Sequence, residues 1–147
     1  MALSAGQAKA ECTYDRIQIK TVNNNIAAFT IEVASTNRTR AKGLMQRDFM
    51  PKFSGMLFVY NAPQNVSFWM RNTLIPLDMI FADETGTVVK VHGNAIPLDE
   101  TPIFGGNAIF AVLELNGGMT EKMNIGPGSM LQHQSFSQET AAWPCKN

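Results

Sequence analysis

Val66-Ser67-Phe68-Trp69-Met70-Arg71-Asn72-Thr73-Leu74-Ile75-Pro76-Leu77-Asp78-Met79-Ile80-Phe81 is the stretch on which the reading of this chain turns. Two short apolar runs, Val66–Met70 and Leu77–Phe81, flank a polar connection that carries Arg71, Asn72 and Thr73 and ends at Pro76. Short, aromatic-rich runs bounded by proline are strand patterns. The connection sets a guanidinium, an amide and a hydroxyl between two buried segments, with Trp69 and Asp78 at its ends. Such a cluster either binds a ligand or ties a loop down.

Before this stretch, Gly55–Tyr60 is apolar on both faces and reads as a central strand, followed by a loop over Asn61–Asn65. Ala27–Ser35 alternates apolar and polar residues, the pattern of a half-buried strand, and Ile17–Lys20 is a shorter strand. Thr36 or Asn37 caps a helix expected to run to about Arg47, with Met50-Pro51 beyond its end. After the central stretch, the turn Asp83-Glu84-Thr85-Gly86 makes a hairpin of Leu77–Ala82 and Thr87–His92. Ile96–Asn107, rich in proline and glycine, reads as an irregular flap. Ile109–Leu115 is a strand, Met119–Asn124 a short helix and Ser129–Gln134 a last strand. The expected fold is α+β, mainly β: a single domain with a curved sheet, partly or fully closed like a barrel, and two short helices. Closure removes exposed strand edges.

A chain of 147 residues can bury about two thirds of its unfolded surface in one domain. Twelve basic and twelve acidic residues cancel, and no Lys/Arg-rich run exists, which argues against a nucleic-acid partner. No apolar run approaches the ~18 residues of a transmembrane span, and a monomer is expected. Ala8-Lys9-Ala10 places small residues where a secretory cleavage site has them. Residues 1–10 are therefore expected to be a signal-peptide remnant or an added tail, and residues 11–147 the domain. Cys12 and Cys145 each lie close to a terminus, with no C-x-x-C spacing. If the ends meet, one bridge closes nearly the whole chain, and disulfides persist in the periplasm or another extracytoplasmic compartment.

Arg40-Ala41-Lys42-Gly43-Leu44-Met45-Gln46-Arg47, Gly55-Met56-Leu57-Phe58-Val59, the central stretch from Phe68 to Phe81, Val112-Leu113-Glu114-Leu115-Asn116-Gly117-Gly118 and Ile125-Gly126-Pro127-Gly128 occur in an order that resembles the domain of unknown function 192 family. The resemblance runs from about Phe29 to Leu131. This is a widespread prokaryotic family of mostly exported proteins without an assigned activity. It implies a small, mostly β domain and no particular reaction. The family commonly has lysine where this chain has Arg71, which keeps the charge and alters its geometry.

Asp78 shares a strand face with Ile80 while Leu77, Met79 and Phe81 take the other, so its carboxylate should be half buried and needs partners. Either it accepts bonds from the Asn72–Thr73 backbone or Arg47 and fixes the loop, or it lines a pocket as acceptor or base. Trp69, Asn72 and Thr73 supply a flat platform with directional polar groups, and Arg47 could clamp an anion. The plainer alternative is a core aromatic with turn-capping side chains. Met45, Met56, Met70 and Met79 could serve Cu(I), although methionine in apolar strands commonly fills gaps. No G-x-S-x-G, H-E-x-x-H or phosphate-cradling motif is present, and His92 and His133 offer little for a metal site or triad. The residues point to a binding or accessory module for a small polar or sugar-like ligand, with Arg47, Trp69, Asn72, Thr73 and Asp78 as its site and no cofactor or metal. One alternative is a hydrolase using Asp78 with Glu114, although Glu114 is more simply paired with an arginine. The other is a module that binds a partner protein through its flap or tail.

Overall fold

The apolar run from Gly55 forms the middle of β3 (Ser54–Phe68), the spine of a seven-stranded sheet in the computed structural model, which describes residues 12–146. The segment expected to be a signal-peptide remnant or added tail lies outside the described residues. β1 (Arg16–Lys20) and β2 (Ile26–Ala34) precede the spine. β4 (Leu77–Ala82), β5 (Val88–Ala95), β6 (Ile103–Asn116) and β7 (Met130–Gln132) follow it. The order across the sheet is β5-β4-β6-β3-β2-β1-β7. Every pair is antiparallel except β2 with β3, and a parallel pair needs a crossover. α1 (Asn37–Lys42) lies in that crossover, capped by Thr36, whose side chain accepts from Thr39 N–H. α2 (Met119–Met123) lies between β6 and β7.

The sheet curls until its two edges meet at one end. There Val88 N–H donates to Ser129 O at 2.8 Å and Leu131 N–H to Gly86 O at 2.8 Å. The result is a half-barrel in a single, mostly β domain with two short helices, the expected class. Ile19, Ile80, Val88, Leu113 and Leu131 pack in one cluster. Because that cluster draws on both ends of the sheet, it fills the inside of the curl. The alternate residues Met56, Phe58, Met79, Phe81 and Val112 form a second core on the other face, with Leu44, Met50 and Met70 from the connections.

Beyond Val59 the β3–β6 pair becomes a ribbon whose register shifts between Val59 and Gln64 and twice more before Phe68. Such irregularities bend a ribbon. Here the bend returns Phe68 to the sheet, edge-on to Phe58 at 4.8 Å and to Phe81 at 6.0 Å. Gly105 permits that descent, since a Cβ there would stand 2.0 Å from Phe81 Cδ1. Three expectations are corrected here. Asn61–Asn65 is strand, part of β3, because β6 continues opposite it. The irregular flap shrinks to residues 96–102, since pairing with β3 extends β6 back to Ile103. α1 stops at Lys42, short of Arg47, because Gly43 takes φ 49° and ends the turn.

Cys12 and Cys145 are joined, with Cα atoms 5.6 Å apart across 133 residues of sequence. The returning tail is fastened where Gln132 Nε2 donates to Pro144 O at 2.9 Å and Lys20 Nζ stands 4.4 Å over the Trp143 ring.

Candidate functional site

Strand register decides which polar side chains can meet. Across the outer face of the sheet, Glu32, Met56, Glu114, Met79 and His92 form one row, each opposite the next. Glu114 sits in the middle of that row, 5 % exposed, and among the described residues its carboxyl has no hydrogen bond or ion pair. Burial pushes its carboxyl up to about 8. The expected arginine pair is not formed: Arg47 pairs with Glu32 and Arg71 with Glu100, while Arg40, in the same cavity, donates to Val59 O and Asn37 Oδ1. Glu32 is two strands from Glu114, roughly 10 Å at ordinary strand spacing, too far for its arginine to be shared.

Glu114 faces a cavity of about 270 Å³ between α1 and the bent ribbon. Phe58, Tyr60, Phe68 and Trp69 supply aromatic walls, and Arg40, Lys42 and the Gly43–Met45 turn close the side next to α1. Arg40 is held in place by donating to Val59 O at 2.7 Å and Asn37 Oδ1 at 2.7 Å, with its guanidinium 5.1 Å over the Tyr60 ring. Burial raises the Tyr60 phenol above its ordinary range, Arg40 opposes this, and Glu114 reinforces it. The hydroxyl therefore stays protonated and available as a donor near neutral pH.

The five residues expected to form the site are divided. Trp69 and Thr73 border the cavity. Trp69 is 45 % exposed, with the Arg71 guanidinium 5.3 Å from its ring centroid. Thr73 is buried, and its hydroxyl donates to Arg71 O at 3.1 Å. Asn72 is exposed and takes φ 54°, a conformation asparagine tolerates, while its carbonyl accepts Gln46 N–H at 2.8 Å. That bond ties the central connection to the turn after α1 and so frames the cavity without lining it. Arg47 lies with Glu32 at a separate depression beside Phe49 and Met50.

Asp78 is buried on the opposite face of the sheet, inside the curl. It pairs opposite Leu115, whereas Glu114 pairs opposite Met79, so the two carboxyls cannot form a catalytic pair. Its oxygens accept from Asn94 N–H at 2.8 Å, Gly118 N–H at 3.0 Å, Thr120 N–H at 2.8 Å and the Thr120 hydroxyl at 2.7 Å. These replace the expected partners, the Asn72–Thr73 backbone and Arg47. The choice of face follows from strand alternation; the partners come from chain segments far away in sequence.

Met56, Met70 and Met79 are buried in the outer core, and Met45 borders the cavity. Among the described residues no group of three or more His, Cys, Asp or Glu side chains could hold a metal ion. His133 is buried, accepting Ser135 N–H at its Nδ1 and meeting Tyr14 O at 2.8 Å through Nε2. Burial lowers its pKa, so it rests neutral with the proton on Nε2. Sequence reasoning passed over Arg40, Lys42, Phe58 and Tyr60. A signal existed for the floor of the cavity: Glu114 is the lone acid in the apolar run Ile109–Leu115.

The model of the domain of unknown function 192 family, described as "Uncharacterized ACR", matches residues 18–133. A crystal structure of a Sinorhizobium meliloti 1021 protein described as a "putative transcription regulator" is similar at 33% identity and a TM-score of 0.81, over 87% of this chain and 99% of that one. A Novosphingobium aromaticivorans DSM 12444 protein of unknown function is similar at 35% identity and a TM-score of 0.76, over 89% of this chain and 98% of that one. No curated protein matches the chain.

Proposed function

The chain belongs to the domain of unknown function 192 family, and we propose that it is an exported module that binds a small polar ligand in the cavity between α1 and β3. Glu114 carries this reading. A buried carboxyl is normally matched by donors, as Asp78 is by four. Glu114 is buried too, has no such partner, and its carboxyl lies against open space large enough for a small molecule. Trp69 offers that molecule a flat, half-exposed face, and the Thr73 hydroxyl oxygen can still accept. Asn72 then supports the shape of the site through its turn, while Asp78, on the far side of the sheet, holds the fold and not the cavity.

The Cys12–Cys145 bridge supports an extracytoplasmic, periplasmic setting, because reducing compartments keep thiols apart. No helix among the described residues is long and apolar enough to cross a membrane. Charge does not favour a nucleic-acid partner: 12 basic and 12 acidic residues leave no net attraction for phosphates.

A thermal-shift screen over sugars, organic anions, amines and metal ions tests the reading, since a specific ligand raises stability by mass action. Trp143→Phe leaves Trp69 as the single tryptophan, so cavity binding should also change its fluorescence. A ligand that raises the melting temperature without touching Trp69 emission would place binding elsewhere, and a silent screen would overturn the proposal.

A further inference from the structure

We infer that the ligand is a small carboxylate with an apolar body, held through its carboxylate by the donors gathered around Glu114. This rests on reading the cavity as a binding site and adds the chemistry of what enters it. The lining is rich in donors and poor in acceptors. Arg40 and Lys42 bring two cations, while Tyr60 and Trp69 each bring an O–H or N–H with no acceptor among the described residues. Glu114 is the one acid of the lining, and burial keeps it protonated near neutral pH, so it offers a further O–H. The Thr73 hydroxyl has spent its proton on Arg71 O.

An acceptor-rich anion satisfies such a lining. A carboxylate facing a protonated carboxyl makes a short, charge-assisted O–H···O⁻ bond, stronger than a neutral one. Phe58, Phe68 and Leu44 leave the remaining wall apolar, which suits a hydrocarbon or aromatic body. The volume of about 270 Å³ lies just under the usual range of ligand sites, about 300–1,000 Å³, which calls for a small ligand.

The charged and titratable groups around Glu114 agree with this polarity. α1 contributes Arg40 and Lys42, and β3 contributes Tyr60. β2 contributes Glu32, already neutralised by Arg47. On the other side β4 presents Met79, with His92 of β5 beyond it. An incoming anion therefore meets no unpaired negative charge until Glu114 ionises. Binding should hold below the pH at which Glu114 loses its proton, about 8, and fade above it.

The test uses the Trp143→Phe protein with three near-isosteric probes, phenylacetate, phenylacetamide and phenethylamine, titrated by Trp69 fluorescence at about pH 6 and about pH 9. Phenylacetate is expected to bind on the order of tenfold tighter than the other two at the lower pH, and to weaken about tenfold at the higher one. Glu114→Gln, which keeps a donor without a charge, should retain phenylacetate binding and abolish its pH dependence. If phenethylamine binds best, tightens at high pH and is lost in Glu114→Gln, the cavity is a site but the carboxylate assignment is overturned. Equal binding of all three overturns it too. Failure of all three while the wider screen finds a cavity ligand overturns only the carboxylate assignment; failure of both removes the site itself.

Discussion

The carboxylate of Asp78 accepts both the backbone N–H and the hydroxyl of Thr120, at 2.8 and 2.7 Å, across 42 residues of chain. Its other oxygen takes Gly118 N–H and Asn94 N–H. Gly118 stands at the N-cap of α2 with no side chain to cap the first turn, so an acid from β4 does so instead. One buried group thereby joins β4, the end of β5 and the entry to α2. Glu114, one strand away and on the other face, has none of this company.

Asp78→Ala should accordingly destabilise the fold by about 4 kcal/mol, since it strands buried donors that each cost roughly 1–3 kcal/mol when unpaired. Equilibrium urea unfolding measures this. Because Asp78 does not line the cavity, ligand affinity of the folded variant should be unchanged. A loss below about 1 kcal/mol would mean that water or a rearranged loop replaces the carboxylate.

Glu114 makes the opposite prediction. Its folded pKa, about 8, lies above the ordinary glutamate value of 4.5, so the folded state holds a proton that the unfolded chain releases. Stability is therefore fullest below the lower value and falls as pH rises towards the upper one, at most by about 1.4 kcal/mol per unit. Glu114→Gln should flatten this decline and raise the melting temperature at pH 8 relative to the parent. Identical slopes for parent and variant between pH 5 and 8 would show that Glu114 is solvated.

How much of this was legible beforehand depends on distance in sequence. The two faces of β4 followed from alternation alone: Asp78 and Ile80 on one side, Leu77, Met79 and Phe81 on the other. The mostly β class, a helix cap at Thr36 or Asn37 and the family membership were legible for the same reason, since each is written in a local pattern. The partners of Asp78 were not, because Thr120 and Gly118 reach it only after β6 has been laid beside β4. The cavity was half legible. Trp69 and Thr73 come from the central stretch, but Tyr60 and Arg40 arrive through the parallel crossover and a bent ribbon that no local spacing encodes. Arg47 stands apart from the cavity, since α1 ends at Lys42 and Arg47 pairs with Glu32 on β2.

Arg47→Ala should cost little, within about 1 kcal/mol, because the Arg47–Glu32 pair stands in solvent where screening and side-chain entropy cancel most of the attraction. It should leave cavity binding intact, whereas Trp69→Ala should weaken it. A loss of binding in Arg47→Ala comparable to that in Trp69→Ala would return Arg47 to the site.

Removing the Cys12–Cys145 bridge should lower stability by up to about 5 kcal/mol, the chain-entropy value for so long a loop. Unfolding curves of the double serine variant, or of the parent with and without reductant, give the number. The folded domain should otherwise be retained, because the bridge acts at the ends of the chain and both cores are built from strands within it.

The most demanding prediction concerns Gly105. A methyl group there would overlap the Phe81 ring, with 2.0 Å to Cδ1 and 2.3 Å to Cε1, far inside contact distance. Phe81 is fully buried and wedged edge-on to Phe68, so the ring has nowhere to turn. Gly105→Ala must therefore lift the β3–β6 ribbon from the sheet, at a cost of about 2–3 kcal/mol as overpacking. That same ribbon carries Phe68 and leads straight into Trp69, two walls of the cavity. The substitution should thus weaken ligand binding as well as stability, although Gly105 does not touch the cavity. Phe81→Leu in the same chain should restore part of both by making room. Rescue of stability without rescue of binding would show that ribbon and cavity are not mechanically one unit.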